Sequence, residues 1–268
     1  MKFNFLGELL GGGPAGTIAN YLGLLLMIVA VAIWVMELSG HTTSRKGFVK
    51  NGLKWNSRTI ALIAISAAIY IAGRPLQIQF IPGIGGFNPS FSLGPVFSIL
   101  FGLPGAIGVT FSMPIGDAIS GALTLGSLAG FLGHTFYTWV PYKIVTNPKM
   151  NNLSAWGRLY LSLLVGGLML LVTICGWLAL TNVLPPAVAW GAVSLSIFIN
   201  QMVLPAIVVP VLLVALYPLV RQWGLYHRDL SGTAVGSGRT SMRDAAALDV
   251  PSNTPVTVSG DKPRVETD

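Results

Sequence analysis

Seven mostly apolar runs, at residues 17–38, 58–73, 90–103, 105–123, 125–145, 158–180 and 190–219, dominate this sequence. A bilayer core about 30 Å thick takes about 20 such residues per helix, because a backbone inside lipid must satisfy its own hydrogen bonds. The runs therefore predict an all-α integral membrane protein of about seven spans. The chain is 53% hydrophobic and 9% charged, whereas a soluble domain is about a quarter charged. The short third run and the tight turns after it predict a compact bundle. Pro205 and Pro210 predict a kink in the last span.

Lysines and arginines fall between the runs, and their placement predicts an orientation. Arg45, Lys46, Lys50, Lys54 and Arg58 fill the first loop; Lys143, Lys149 and Arg158 fill a second; six more follow Val220. Only Lys2 and Arg74 remain. With the N-terminus outside and the C-terminus inside, seven spans put all three basic segments in the cytoplasm and both exceptions on the far side. The expected organisation is an N-terminal segment and helix at 1–38, a basic cytoplasmic linker at 39–57, a six-helix membrane core at 58–220 and a tail at 221–268. The tail is rich in Ser, Thr, Gly, Asp and Arg, cannot bury enough surface to fold alone, and reads as a disordered cytoplasmic extension.

Several function classes fall away on composition. The formal charge of +7 lies in loops between apolar runs, not on a folded basic face, which argues against nucleic acid. The single cysteine, Cys175, builds neither a disulfide framework nor a cysteine-ligated zinc site within one chain, and reads as a small core residue. Gly11, Gly12 and Gly13 before Pro14 lack the G-K-[ST] of a phosphate loop, so no ATPase is expected in this chain. The first run has its positive flank after the apolar stretch and no A-x-A-like site after Leu38, so it reads as an uncleaved helix appended to the core.

Charged groups in lipid are costly and mark functional candidates. Asp117 is the one acid between Glu37 and Asp229, and it falls near the middle of the fourth run beside Pro114 and Gly116. Two roles fit it: a ligand or proton site, or a polar lock between helices. His134 lies about ten residues into the fifth run, near mid-depth, where either a structural bond to a carbonyl or to Asp117, or a ligand contact, is expected. Together they supply two strong metal ligands where zinc takes three or four, so no metal site is expected. Residues 74–90 form an outside loop whose prolines and glycines forbid a helix, while Phe80, Ile81 and Phe87 are too apolar for water. Such a loop packs back into the bundle, either as a lid hinged at Gly83, Gly85 and Gly86 or as a plug without a ligand. Asn200 and Gln201 lie mid-span in the last run, as helix glue or ligand contacts. Tyr137 and Trp139 read as interfacial aromatics.

The order of motifs along the core carries a resemblance. It runs from Ala64-Ile65-Ser66-Ala67-Ala68 through Ile81-Pro82-Gly83, Leu93-Gly94-Pro95-Val96-Phe97 and Leu100-Phe101-Gly102-Leu103-Pro104-Gly105-Ala106. Gly116-Asp117-Ala118-Ile119-Ser120-Gly121, Gly130-Phe131-Leu132-Gly133-His134 and Pro141-Tyr142-Lys143 complete it. This order resembles the substrate-binding S components of energy-coupling factor (ECF) transporters, over residues 58–220. The resemblance implies a six-helix subunit that captures a vitamin or related micronutrient and docks on a transmembrane coupling protein with two cytoplasmic ATPases. It implies a location in a bacterial or archaeal plasma membrane. Ala64 and Ala68 match the A-x-x-x-A docking surface, and Arg74 to Asn88 match the loop over the ligand site. Arg74, Phe80, Phe87, Asn88, Asp117, His134, Asn200 and Gln201 are then the candidate substrate contacts, with no cofactor. The extra N-terminal span departs from the six-helix plan, and His134 stands where a small polar amide is expected.

Substrate identity stays open. Phe80, Phe87, Phe91 and Trp177 suit a planar or partly apolar molecule, and Arg74 suits a carboxylate or phosphate. The competing class is an autonomous proton-coupled transporter or channel-like protein with Asp117 and His134 as relay. No nucleophile, base and orienting partner group together, which disfavours an enzyme.

Overall fold

A computed structural model describes residues 5–44, 47–76, 78–81 and 85–230. Helix α1 (Phe5–Leu10) is followed by α2 (Gly13–Leu38), which Pro14 opens in its first turn. At about 1.5 Å per residue α2 is about 39 Å long, more than a bilayer core. The strands β1 (His41–Ser44) and β2 (Gly47–Lys50) make an antiparallel hairpin inside the expected linker. Helix α3 (Ser57–Gly73) starts where the Asn56 side chain accepts from Thr59 N–H, and it ends in a 3-10 turn, Arg74–Leu76.

A second hairpin, β3 (Ile78–Ile81) with β4 (Gly85–Phe87), and a 3-10 turn, Pro89–Ser92, lie in the loop expected on the outside. Helices α4 (Leu93–Phe101) and α5 (Leu103–Ile119) break at Gly102, whose φ of +69° is strained for residues with a side chain. Helix α6 (Leu125–Ile144) begins in a capping box between Thr124 and Ser127, and α7 (Leu153–Leu180) begins at an Asn152 cap.

The final helical stretch is a composite. It joins α8 (Pro186–Val188), a π-turn Ala189–Val193, α9 (Ser194–Phe198), a second π-turn Ile199–Val203 and α10 (Leu204–Gln222). Leu204 N–H reaches five residues back to the Ile199 carbonyl, and Pro205, next in line, has no N–H to continue the α ladder. Pro205 thus coincides with a widened turn. One more turn, α11 (His227–Leu230), comes after it with Tyr226 buried, so the expected tail boundary at 221 falls inside packed structure. Residues 231–268 lie outside the described residues.

Among the described residues, four stretches are long and apolar enough to cross a membrane: Gly13–Leu38, Ser57–Leu76, Leu153–Leu180 and Pro186–Asp229. The helices Pro89–Phe101 and Leu103–Ile119 are apolar but shorter. Helix α6 has 20 residues yet is not among the four. Ser127, His134, Thr135 and Thr138 lower its hydropathy, and all are buried against neighbouring helices. The architecture is all-α apart from the two hairpins.

Helices α6 and α7 pack together at the centre, with α3 on α5, and α2 against α7 and α6. A Cβ on Gly23 would stand 2.6 Å from the Val172 carbonyl and 2.9 Å from Gly176 Cα, so α2 and α7 touch backbone to backbone. Trp34 donates to Thr135 Oγ1 at 2.7 Å, and Trp190 donates to Asn20 Oδ1 at 2.9 Å. Helix α2 is therefore a wall of the bundle. The expectation of an appendage is corrected, because glycine contacts and indole hydrogen bonds carry no hydropathy signal.

Described members of the three basic segments meet at one end. Arg58 donates to the Gly224 carbonyl, Arg228 reaches the Val145 carbonyl at 3.2 Å, and Lys143 pairs with Glu37 at 3.1 Å. Arg74 lies beyond the far end of α3.

Candidate functional site

Asp117 lies in the last turn of α5, not at mid-span, because the chain turns at Ser120 and at Gly121, where φ is +69°. There it meets Arg74, whose Nη2 donates to Asp117 Oδ1 at 2.5 Å. Arg74 Nη1 also reaches the Met113 carbonyl at 3.3 Å. A Cβ on Gly116 would run into the Arg74 guanidinium, so this glycine makes room for a side chain. Of the two roles open to Asp117, the geometry has it locking α3 to α5. The same pair occupies the Arg74 charge that was expected to meet a ligand anion.

From Arg74 the loop folds inward. Asn88 is 1% exposed; its amide donates to the Arg74 carbonyl at 3.0 Å and its N–H to Asn200 Oδ1 at 2.7 Å. Asn88 Oδ1 accepts from Ser90 N–H and Oγ, which holds the turn Pro89–Ser92. The loop is thus pinned to the second π-turn of the last helix. Asn200 itself donates to the Ser196 carbonyl at 2.9 Å. Phe87 ends β4 half-exposed, and the side chain of Phe80 and Gly83 lie outside the described residues.

One turn deeper, Tyr70 on α3 shares an interior aromatic cluster with Phe91, His134 and Tyr137. Ring centroids of Phe91 and His134 are 6.1 Å apart, and those of His134 and Tyr137 5.9 Å. His134 Nδ1 donates to the Gly130 carbonyl at 2.8 Å, which leaves Nε2 to accept from the Tyr70 hydroxyl at 3.2 Å. These two partners orient the imidazole. No hydrogen bond joins Asp117 and His134 among the described residues.

Tyr137 was expected at the membrane interface; it is fully buried, its ring seated on Gly94, where a Cβ would lie 3.3 Å away. Trp139 is half-buried, with its indole on Glu37 Oε1 at 2.7 Å. Trp177 donates to the Leu125 carbonyl and packs with the α2–α6 cluster, away from Phe91. Sequence reasoning missed Tyr70 and Ser92 and placed Tyr137 at the interface. Tyr70 lies on the α3 face of Leu62, Ser66 and Gly73, a spacing of three and four that marks the buried side of a helix.

Three buried polar atoms, Ser92 Oγ, Tyr137 Oη and Gln201 Oε1, have no hydrogen-bond partner among the described residues. The turn Pro89–Ser92 packs on the π-turn that carries Gln201. Gly166 and Gly167 of α7 lie against Tyr137 and Gln201 in succession. Buried polar groups are nearly always bonded, so each of these three atoms is an exception with hydrogen-bonding capacity to spare. No group of three or more His, Cys, Asp or Glu able to hold a metal occurs among the described residues.

Ala64 and Ala68 lie on the opposite, exposed face of α3. Two open clefts, of about 550 and 660 Å³, are bordered by α10, α7 and Lys149, and none of their lining residues belongs to the interior cluster. No family model, curated protein or solved structure matches this chain.

Proposed function

We propose that this chain is the membrane-embedded substrate-capture subunit, the S component, of an ATP-driven ECF-type importer for a vitamin or related micronutrient. The observation that carries the reading is the buried aromatic cluster beneath the outside loop, beside three unpartnered polar atoms on Ser92, Tyr137 and Gln201. A planar, hydrogen-bonding molecule would stack on Phe91 and Tyr70 and satisfy those atoms. Seven spans with the N-terminus outside agree with the gathering of the basic segments at one end.

In this reading the chain catalyses nothing. A transmembrane coupling protein and two separate ATPases supply the energy, and the exposed Ala64 and Ala68 face of α3 offers the close approach that such docking needs. The membrane is a bacterial or archaeal plasma membrane.

Affinity purification of the tagged chain from its native membranes, with mass spectrometry of proteins and retained small molecules, tests the reading. Recovery of a coupling protein, ATPases and a bound aromatic micronutrient is the expected result. Ala64→Leu with Ala68→Leu should keep the small molecule and lose the partners. A ligand-loaded chain that never recruits an ATPase, and drives proton-dependent uptake alone, overturns it.

A further inference from the structure

The two surface clefts share Val214 and form one groove beside α10. At the basic end it is bordered by Lys149 and Arg221, with Tyr217 and Pro218 as its floor. Beyond that end it is lined by Trp156 and Tyr160, from the first two turns of α7, and by Ile207, Pro210 and Val211 of α10. Helix α10 packs mainly on α4 and the turn Pro89–Ser92 and touches α7 little, which is why a gap stays open here.

The groove has the chemistry of one ligand. From Arg221 back to Ile207 is about 21 Å along the helix at about 1.5 Å per residue, against about 15 Å for one leaflet of hydrocarbon. Its second part is lined by Trp156, Tyr160 and aliphatic side chains, with no charged residue. Its rim holds two cations, Lys149 and Arg221, and Arg221 Nε donates to Asp229 Oδ2 at 3.1 Å, which fixes the guanidinium in place. Two positive charges and one negative leave a net positive rim, matched to one phosphodiester. Basic pockets at the ends of membrane helices select anionic headgroups by this charge pairing.

We propose that this groove binds an anionic phospholipid from the leaflet on the basic side, with the phosphate at Lys149 and Arg221 and an acyl chain along Val214, Val211 and Ile207. The site is separate from the interior cluster and requires only that the helices lie in a membrane.

The test uses the full-length chain in a non-ionic detergent, titrated with dioleoylphosphatidylglycerol or dioleoylphosphatidylcholine and read by native mass spectrometry and by melting temperature. The wild type should retain phosphatidylglycerol over phosphatidylcholine. Lys149→Gln with Arg221→Gln should reduce that retention by about fivefold for each lost charge. Ala215→Phe, an exposed change that fills the groove, should lower retention of both lipids while the protein stays folded. Equal retention of the two lipids by the wild type, or undiminished phosphatidylglycerol binding in the Ala215→Phe protein, overturns the proposal. So does stabilisation by inorganic phosphate equal to that by phosphatidylglycerol, since that describes a free-anion site.

Discussion

Arg74 and Asp117 lie 43 positions apart and hold each other at one end of the bundle. Their side chains are 25% and 14% exposed, so removing one partner strands the other in a poorly hydrated place. Asp117→Asn or Arg74→Gln should each cost about 3 kcal/mol, and the double variant should recover about 2 kcal/mol of the summed loss. Melting of the four proteins in detergent measures this. A proton relay through Asp117 predicts instead that Asp117→Asn melts normally and loses proton coupling. Asp117 stood out in the sequence as an isolated acid, but its partner did not: a run of apolar residues says nothing about which arginine folds onto it. His134 was legible as a polar residue at mid-depth. Its bond to the Gly130 carbonyl, one turn back in α6, is local, whereas its bond to Tyr70 depends on how α3 rotates against α6.

Close helix approach through small residues fixes which elements touch. A Cβ on Gly108 would run into the Ile63 carbonyl, and would lie 2.9 Å from Ser66 Cβ, so α5 and α3 meet backbone to backbone there. Gly108→Val should force them apart at about 1–3 kcal/mol, lowering the melting temperature and loosening the Tyr70 face of α3. Gly130→Ala is the matched control: a Cβ there meets nothing within 4 Å, and the carbonyl that holds His134 is kept. Its stability should stay within about 0.5 kcal/mol of wild type. The side chains of Asn56, Thr124 and Asn152 cap α3, α6 and α7, and the Asn152 cap starts α7 at Leu153 where the apolar run alone put it at 158. The π-turns were not readable. Pro205 predicted a disturbance, and only the packed helix decided that it widens at 199–203 and turns Asn200 and Gln201 inward.

Glu37 joins the first long helix to the rest of the molecule. It is fully buried and accepts from Thr42 at 2.5 Å and Trp139 at 2.7 Å while pairing with Lys143 at 3.1 Å. Hairpin, α2 and α6 therefore share one carboxylate. Glu37→Ala should destabilise the bundle by about 3–5 kcal/mol, and Glu37→Gln, which still accepts from the hydroxyl and the indole, by less. Unchanged melting of Glu37→Ala would show that α2 is held by apolar contact alone. The sequence by itself determined the helical class and the long apolar helices that suit this chain to a membrane, because apolar run length is a local property that lipid reads directly. Only the tertiary structure decided that α2 is a wall of the bundle, that Asp117 closes one end, and that Tyr70, Phe91, His134 and Tyr137 share an interior. Those outcomes depend on helix rotation and on glycine contacts between segments far apart in the chain, and single-sequence patterns carry neither.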